Sequence, residues 1–129
     1  MPILDRKKFL ESLRSCDVNG IIQHLNEGNN INVDCGLHVF DVFLSASGKN
    51  AKKGLDMVLD NPTWNPNYQS LDMWHPEERA MIRAKEDVAL RVIKHPNFDK
   101  SEYPRVIKSA ERFNAKKVLK FLRSLENQR

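Results

Sequence analysis

The chain predicts an all-α protein, a repeat solenoid of helical hairpins with about four helix pairs in one domain over 1–129. Three observations predict it. Apolar residues recur at spacings of three and four, the stripe of an amphipathic helix. Short polar connectors join these stripes in twos, as between antiparallel helices. One pattern, an apolar stripe followed by a turn, returns every thirty-odd residues, the signature of a repeat architecture.

The first pair is expected near 5–28. Phe9, Leu10 and Leu13 form one stripe, Ser15-Cys16-Asp17 the connector, and Ile21, Ile22 and Leu25 the second stripe. Asp17-Val18-Asn19 reads as a helix start, Gly28 as a stop and Asn29-Asn30-Ile31-Asn32 as a tight turn. The second pair, near 37–60, sets Val39, Phe40, Phe43 and Leu44 before Ser47-Gly48-Lys49-Asn50, and Leu55, Val58 and Leu59 after it. The third, near 77–95, sets Ala80, Met81 and Ala84 before Lys85-Glu86-Asp87, and Leu90, Val92 and Ile93 after. The fourth, near 102–125, has Val106, Ile107 and Ala110, then Phe113-Asn114, then Val118, Leu119, Leu122 and Leu125. It has no turn after it and reads as a terminal capping unit. Asn61-Pro62 after the second pair returns as His95-Pro96 after the third. With their turns, the repeats run near 5–34, 37–67, 77–99 and 102–125.

Segment 16–32, CDVNGIIQHLNEGNNIN, resembles the second half of an ankyrin repeat, Gly-(Asn/His)-x-(Asp/Glu)-Val-Val-x-x-Leu-Leu-x-x-Gly-Ala-Asp-Val-Asn. Divergent repeats with Asn-Pro turns are common in ankyrin-like proteins of eukaryotes, their viruses and intracellular bacteria. The resemblance implies short inner helices, longer outer helices and turns that project to one side. It also implies protein–protein binding through the turn tips and the inner-helix face, with no catalysis and no cofactor. The familiar Thr-Pro-Leu-His start is absent. His38-Val39-Phe40-Asp41 and Arg105-Val106-Ile107-Lys108 stand in its place, so the hydrogen bond that ties neighbouring loops through that histidine is missing. Tetratricopeptide and HEAT repeats fit less well, for want of the Trp/Leu-Gly/Tyr pattern and of a forty-residue unit.

Two stretches stand out as partner surfaces. The link at 61–77, NPTWNPNYQSLDMWHPE, is long and holds prolines at 62, 66 and 76, which oppose regular structure. It carries Trp64, Tyr68, Met73 and Trp74, the residue types favoured in binding hot spots. Either its aromatics stay accessible to a partner, or the loop folds back and a tryptophan is buried. The second stretch is the basic end. The net charge is +4, divided as −2 over residues 1–99 and +6 over Lys100–Arg129. Lys108, Arg112, Lys116, Lys117, Lys120 and Arg123 form a basic face for acidic proteins or, as the alternative function, nucleic acid. A solvated helix end would have the same composition.

Nothing in the spacing of chemically active residues supports an enzyme. Cys35-x-x-His38 lacks a second ligand pair, so no metal site is expected. Ser47-Gly48-Lys49 lacks the rest of a phosphate loop. Asp56, Asp60, Asp72, Glu77 and Glu78 make no acid–base or metal spacing; the last three sit where acids complement a helix dipole. His24, His38, His75 and His95 read as packing or turn residues. No run of 18 apolar residues spans a membrane. The N-terminus lacks a continuous apolar segment of the secretory kind, and two cysteines do not make a disulfide framework. The expectation is an intracellular, cytoplasmic adaptor, monomeric on its own.

Overall fold

The computed structural model describes residues 6–33, 36–70 and 72–126. Over these residues the chain is all-helical, with no strand. The helices are α1 (Arg6–Arg14), α2 (Val18–Asn26), α3 (Val39–Ser45), α4 (Lys49–Leu59), α5 (Pro76–Ile82), α6 (Glu86–Ile93), α7 (Tyr103–Arg112) and α8 (Lys116–Glu126). A single 3-10 turn, Lys100–Glu102, leads into α7. The four expected pairs are therefore α1–α2, α3–α4, α5–α6 and α7–α8. No described helix is long and apolar enough to cross a membrane.

Contacts gather the chain into two compact units, one up to Trp64 and one from Asn65. In the first, α1 packs on α2, α2 on α3 and α4, and α3 on α4. In α3, Val39, Phe40, Val42, Phe43 and Leu44 are all buried. In the second, α5 packs on α6 and α7, and α8 on α6 and α7. Its core combines small and β-branched residues, among them Ala80, Ala89, Val92, Val106, Ala110 and Val118, with Met81, Phe98 and Leu122.

Helix ends follow from local chemistry. The Asp17 side chain accepts from the Gly20 N–H at 3.1 Å and caps α2, as the Asp-Val-Asn start predicts. Pro76 opens α5, where a missing N–H costs nothing. Gly28, at φ +101°, ends α2, with the Asn29 N–H bonded to the His24 carbonyl at 3.1 Å. The same six-to-one closure ends α1, α5 and α7, from the N–H groups of Asp17, Lys85 and Ala115 to the carbonyls of Ser12, Ala80 and Ala110. There the left-handed residue is not glycine but Cys16 (φ 56°), Ala84 (φ 59°) or Asn114 (φ 56°).

The turns after α2, α4 and α6 share one geometry. A side-chain acceptor at the first position takes the N–H two residues on: Asn30 from Asn32 at 2.9 Å, Asn61 from Thr63 at 2.8 Å, His95 from Asn97 at 3.1 Å. The carbonyl of that first residue takes the N–H three residues on, from Val33, Trp64 and Phe98. All three of those last side chains are buried. The expected likeness of Asn61-Pro62 and His95-Pro96 is thus one physical turn. It occurs a third time at Asn30-Ile31, without proline.

Several boundaries differ from expectation. Lys49 and Asn50 already lie in α4, and Glu86 and Asp87 form the first turn of α6. Ala84 is an exposed connector residue rather than part of the α5 stripe. The long link ends at His75, because Pro76 and Glu77 belong to α5. Cys35 lies outside the described residues.

Two substitutions test this packing. A methyl group on Gly54 would meet the Phe43 ring at 2.5 Å. Helix propensity alone favours alanine there by up to about 1 kcal/mol. We expect overpacking to win, so that Gly54→Ala destabilises by about 1–3 kcal/mol in denaturant unfolding. Conversely, Ala84→Gly removes a Cβ from a left-handed position and should stabilise by about 1 kcal/mol. A loss of stability in Ala84→Gly would show that the connector is not held at positive φ.

Candidate interaction surfaces

The aromatic link divides at Trp64. Trp64 belongs to the first unit and is 2% exposed, stacked on Phe40 with ring centroids 5.2 Å apart. It occupies the buried fourth position of the recurring turn. It is therefore a core residue rather than a partner-binding one, and a Trp64→Ala change would probe stability, not recognition.

From Asn65 onward the link belongs to the second unit. Asn67 fastens it: its Nδ2 donates to the Asn97 carbonyl at 2.7 Å, and its Oδ1 accepts from the Asp99 N–H at 2.8 Å. Tyr68 is half-buried. The Ser70 N–H donates to the Trp74 carbonyl at 2.9 Å and the Met73 N–H to the Ser70 carbonyl at 2.8 Å. Gln69 Nε2 donates to the Met73 carbonyl at 2.7 Å. Arg79 pairs with Asp72. This closed turn holds Met73 at φ 71° and 68% exposed. Trp74 is half-buried, its ring 5.7 Å from Phe113. The link thus presents Met73 and part of Trp74, with Tyr68 partly covered.

All six residues of the basic face are exposed: Lys108 and Arg112 on α7; Lys116, Lys117, Lys120 and Arg123 on α8. Lys117 is paired with Asp87 at 3.2 Å. The Arg112 guanidinium lies 5.5 Å from the Phe113 ring centre. Lys116, Lys120 and Arg123, with Leu119 and Ser124, line an open groove of about 470 Å³. The two expected surfaces meet through the contacts Trp74–Phe113–Arg112.

A cluster that spacing did not reveal lies between α5 and α7. Glu77 is 0% exposed. Arg105 Nη2 donates to its Oε1 at 2.6 Å, while Glu77 Oε2 is buried without a hydrogen-bond partner. The same guanidinium reaches Glu78 at 3.4 Å and Glu102 at 3.2 Å. Glu78 also accepts from Ser109 Oγ at 3.0 Å and from the His75 N–H at 3.2 Å. Burial pushes the Glu77 carboxyl above the usual carboxylate range, against the pull of Arg105. Ligand atoms of His75, Glu77 and Glu78 lie within 4.8 Å of one another. Arg105 already supplies the cluster's countercharge, so its observed role is to join two helices. The 28-residue gap between Glu77 and Arg105 leaves no local pattern. The one sequence signal is an arginine next to Val106, bordering the apolar stripe of α7.

The histidines take packing and end positions: His24 lies 5.9 Å from the Phe9 ring, His38 and His75 precede helices, and His95 is buried in its turn. Comparison with protein families, with curated proteins and with solved structures gives no match.

Glu77 has a carboxyl whose folded pKa lies above its unfolded value of about 4.5. Its contribution to stability is therefore present at low pH and is lost as pH rises through the folded value. In Arg105→Ala burial acts unopposed and that folded value rises further. We expect a loss of up to about 3 kcal/mol at neutral pH, the low end for a broken buried pair because Arg105 keeps some solvent contact. The loss should shrink as pH falls and the Glu77 carboxyl takes up a proton. Urea unfolding at several pH values measures it; a pH-independent loss would refute the role given to the Glu77 charge.

Proposed function

We propose that the chain is a non-catalytic protein-interaction module or adaptor, built from degenerate ankyrin-like helix pairs and using no cofactor. The observation that carries the reading is the recurring turn. Three helix pairs end in one four-residue hydrogen-bonded turn, and within each unit one asparagine side chain bonds the backbone at a later turn. Asn32 Nδ2 donates to the Thr63 carbonyl at 2.8 Å in the first unit, and Asn67 reaches Asn97 and Asp99 in the second. Each of these two asparagines makes a tie of the kind that the absent Thr-Pro-Leu-His histidine would have made. Their product is a scaffold of rigid turns and helix faces, which suits recognition rather than bond chemistry. An exposed thiol at Cys16 suits a reducing, cytoplasmic setting.

The recognition surface in this reading centres on Met73 and Trp74. A large apolar side chain held out by three hydrogen bonds is unusual unless something covers it. Ankyrin-like modules read partners with projecting turns, and this is the longest turn of the second unit. The test is affinity capture on the full chain, with each retained protein scored against variants. We expect a discrete partner whose retention falls roughly tenfold or more in Met73→Asp and in Trp74→Ala, both of which should still fold. Retention that ignores both changes would sink the assignment of this surface.

A further inference from the structure

We infer that the α7–α8 connector and the outer face of α8 form a docking track for an acidic peptide segment of the partner protein, an inference that rests on the interaction-module reading. The argument begins with which cations have partners. In the second unit Arg79 is paired with Asp72, Arg105 with three glutamates and Lys117 with Asp87, and Lys94 lies 4.7 Å above the Phe121 ring. Lys108, Arg112, Lys116, Lys120 and Arg123 have no carboxylate partner among the described residues. Five such cations thus fall on α7 and α8, three of them in one groove; Lys100, on the 3-10 turn, is a sixth apart from them.

Their placement has a direction. Lys116, Lys120 and Arg123 follow one another at i, i+4 and i+7 along α8, a row of about 10 Å. Leu119 lies among them in the open groove. An extended peptide covers that length in three to four residues. At the connector end Lys116 also borders a pocket of about 210 Å³ walled by Met81, Ala84, Phe113 and Ala115. That volume has room for one apolar side chain. Glu86 lies at the same pocket and repels a carboxylate there. The track thus prescribes its occupant: one apolar residue at the connector, then carboxylates spread along α8.

The aromatics argue for a peptide over nucleic acid. Base stacking needs an open ring face. Phe113 has Arg112 over its ring and Trp74 tilted against it at 36°, and Trp74 is itself half-buried. Neither offers a free platform.

The test is fluorescence anisotropy with the full chain and a labelled peptide, acetyl-Leu-Ser-Glu-Glu-Asp-Glu-Ser-amide. We expect saturable binding at low salt that weakens as salt rises. The triple change Lys116→Glu, Lys120→Glu, Arg123→Glu should weaken it at least tenfold. The matched change Arg6→Glu, Lys7→Glu, Lys8→Glu alters net charge equally on exposed positions of α1 and should weaken it less than threefold. Replacing the peptide's Leu with Ser should weaken binding severalfold. No binding at low salt, equal losses in the two triple variants, or tighter binding of a single-stranded oligonucleotide of the same charge would each overturn the track. If the track fails, Met73- and Trp74-dependent capture still stands. If that capture fails while the peptide binds, the loop assignment falls and the track remains.

Discussion

The turn that follows α2, α4 and α6 is the constraint on which the rest of the structure depends. A helix that stops leaves carbonyl and N–H groups without partners, and the chain must then change direction while keeping them satisfied. Here a side chain at the first turn position, Asn30, Asn61 or His95, takes the N–H two residues on. The backbone bond from the fourth residue follows, and it aims that residue inward. Val33, Trp64 and Phe98 are buried for this reason. Once the turn has closed, its outer carbonyls are fixed in space, and Asn32 and Asn67 can reach the turn that follows. Asparagine suits both tasks, since its amide both accepts and donates.

The same turn explains what could be read from the sequence and what could not. Helix pairs were legible because burial of one face imposes the three–four spacing directly. The stops were legible at Gly28 and at the Asn-Pro and His-Pro steps, where conformational preference is strong. Trp64 was misplaced because its type and its neighbours dominated its position. Set in register, Asn30-Ile31-Asn32-Val33, Asn61-Pro62-Thr63-Trp64 and His95-Pro96-Asn97-Phe98 put an apolar residue at one place in three turns. That register marks Trp64 as core, and the proline-rich stretch after it hid the register. Ala84 misled for a related reason: its type fits a helix interior, yet six-to-one closure of the α5 terminus fixes its conformation.

Glu77 and Arg105 were illegible on physical grounds. A glutamate at the second position of a helix is an ordinary surface residue, favoured by the dipole. Only tertiary packing turns it inward, and only then does a guanidinium 28 residues away become its partner. The core of the second unit is rich in alanine and valine, so it gains less from apolar burial than the first unit's aromatic core. A charged pair between α5 and α7 confers geometric specificity more than stability. It sets which faces of the two helices meet, where small side chains alone would tolerate sliding.

That specificity carries through α7 to the surface. Val106, Ser109 and Ala110 face inward, and Ser109 bonds Glu78 in the same cluster. With Arg105 they fix the rotation of α7 about its axis. Lys108, Arg112 and Phe113 then have no freedom of azimuth, because a helix determines all its faces at once. Phe113 is in turn pinned by Trp74, which the Ser70–Trp74 turn holds in place. The buried charge pair and the aromatic turn therefore converge on one segment, Arg112–Lys116, of which Arg112, Asn114 and Lys116 are exposed. A partner that binds this segment meets a surface already ordered, with little side-chain entropy left to lose near Phe113. The cations farther along α8 are exposed, so in the proposed mode they would contribute attraction and orientation more than affinity. In that mode, with an ordered aromatic end and an exposed cationic row, an apolar residue would fix register and charge would add to it.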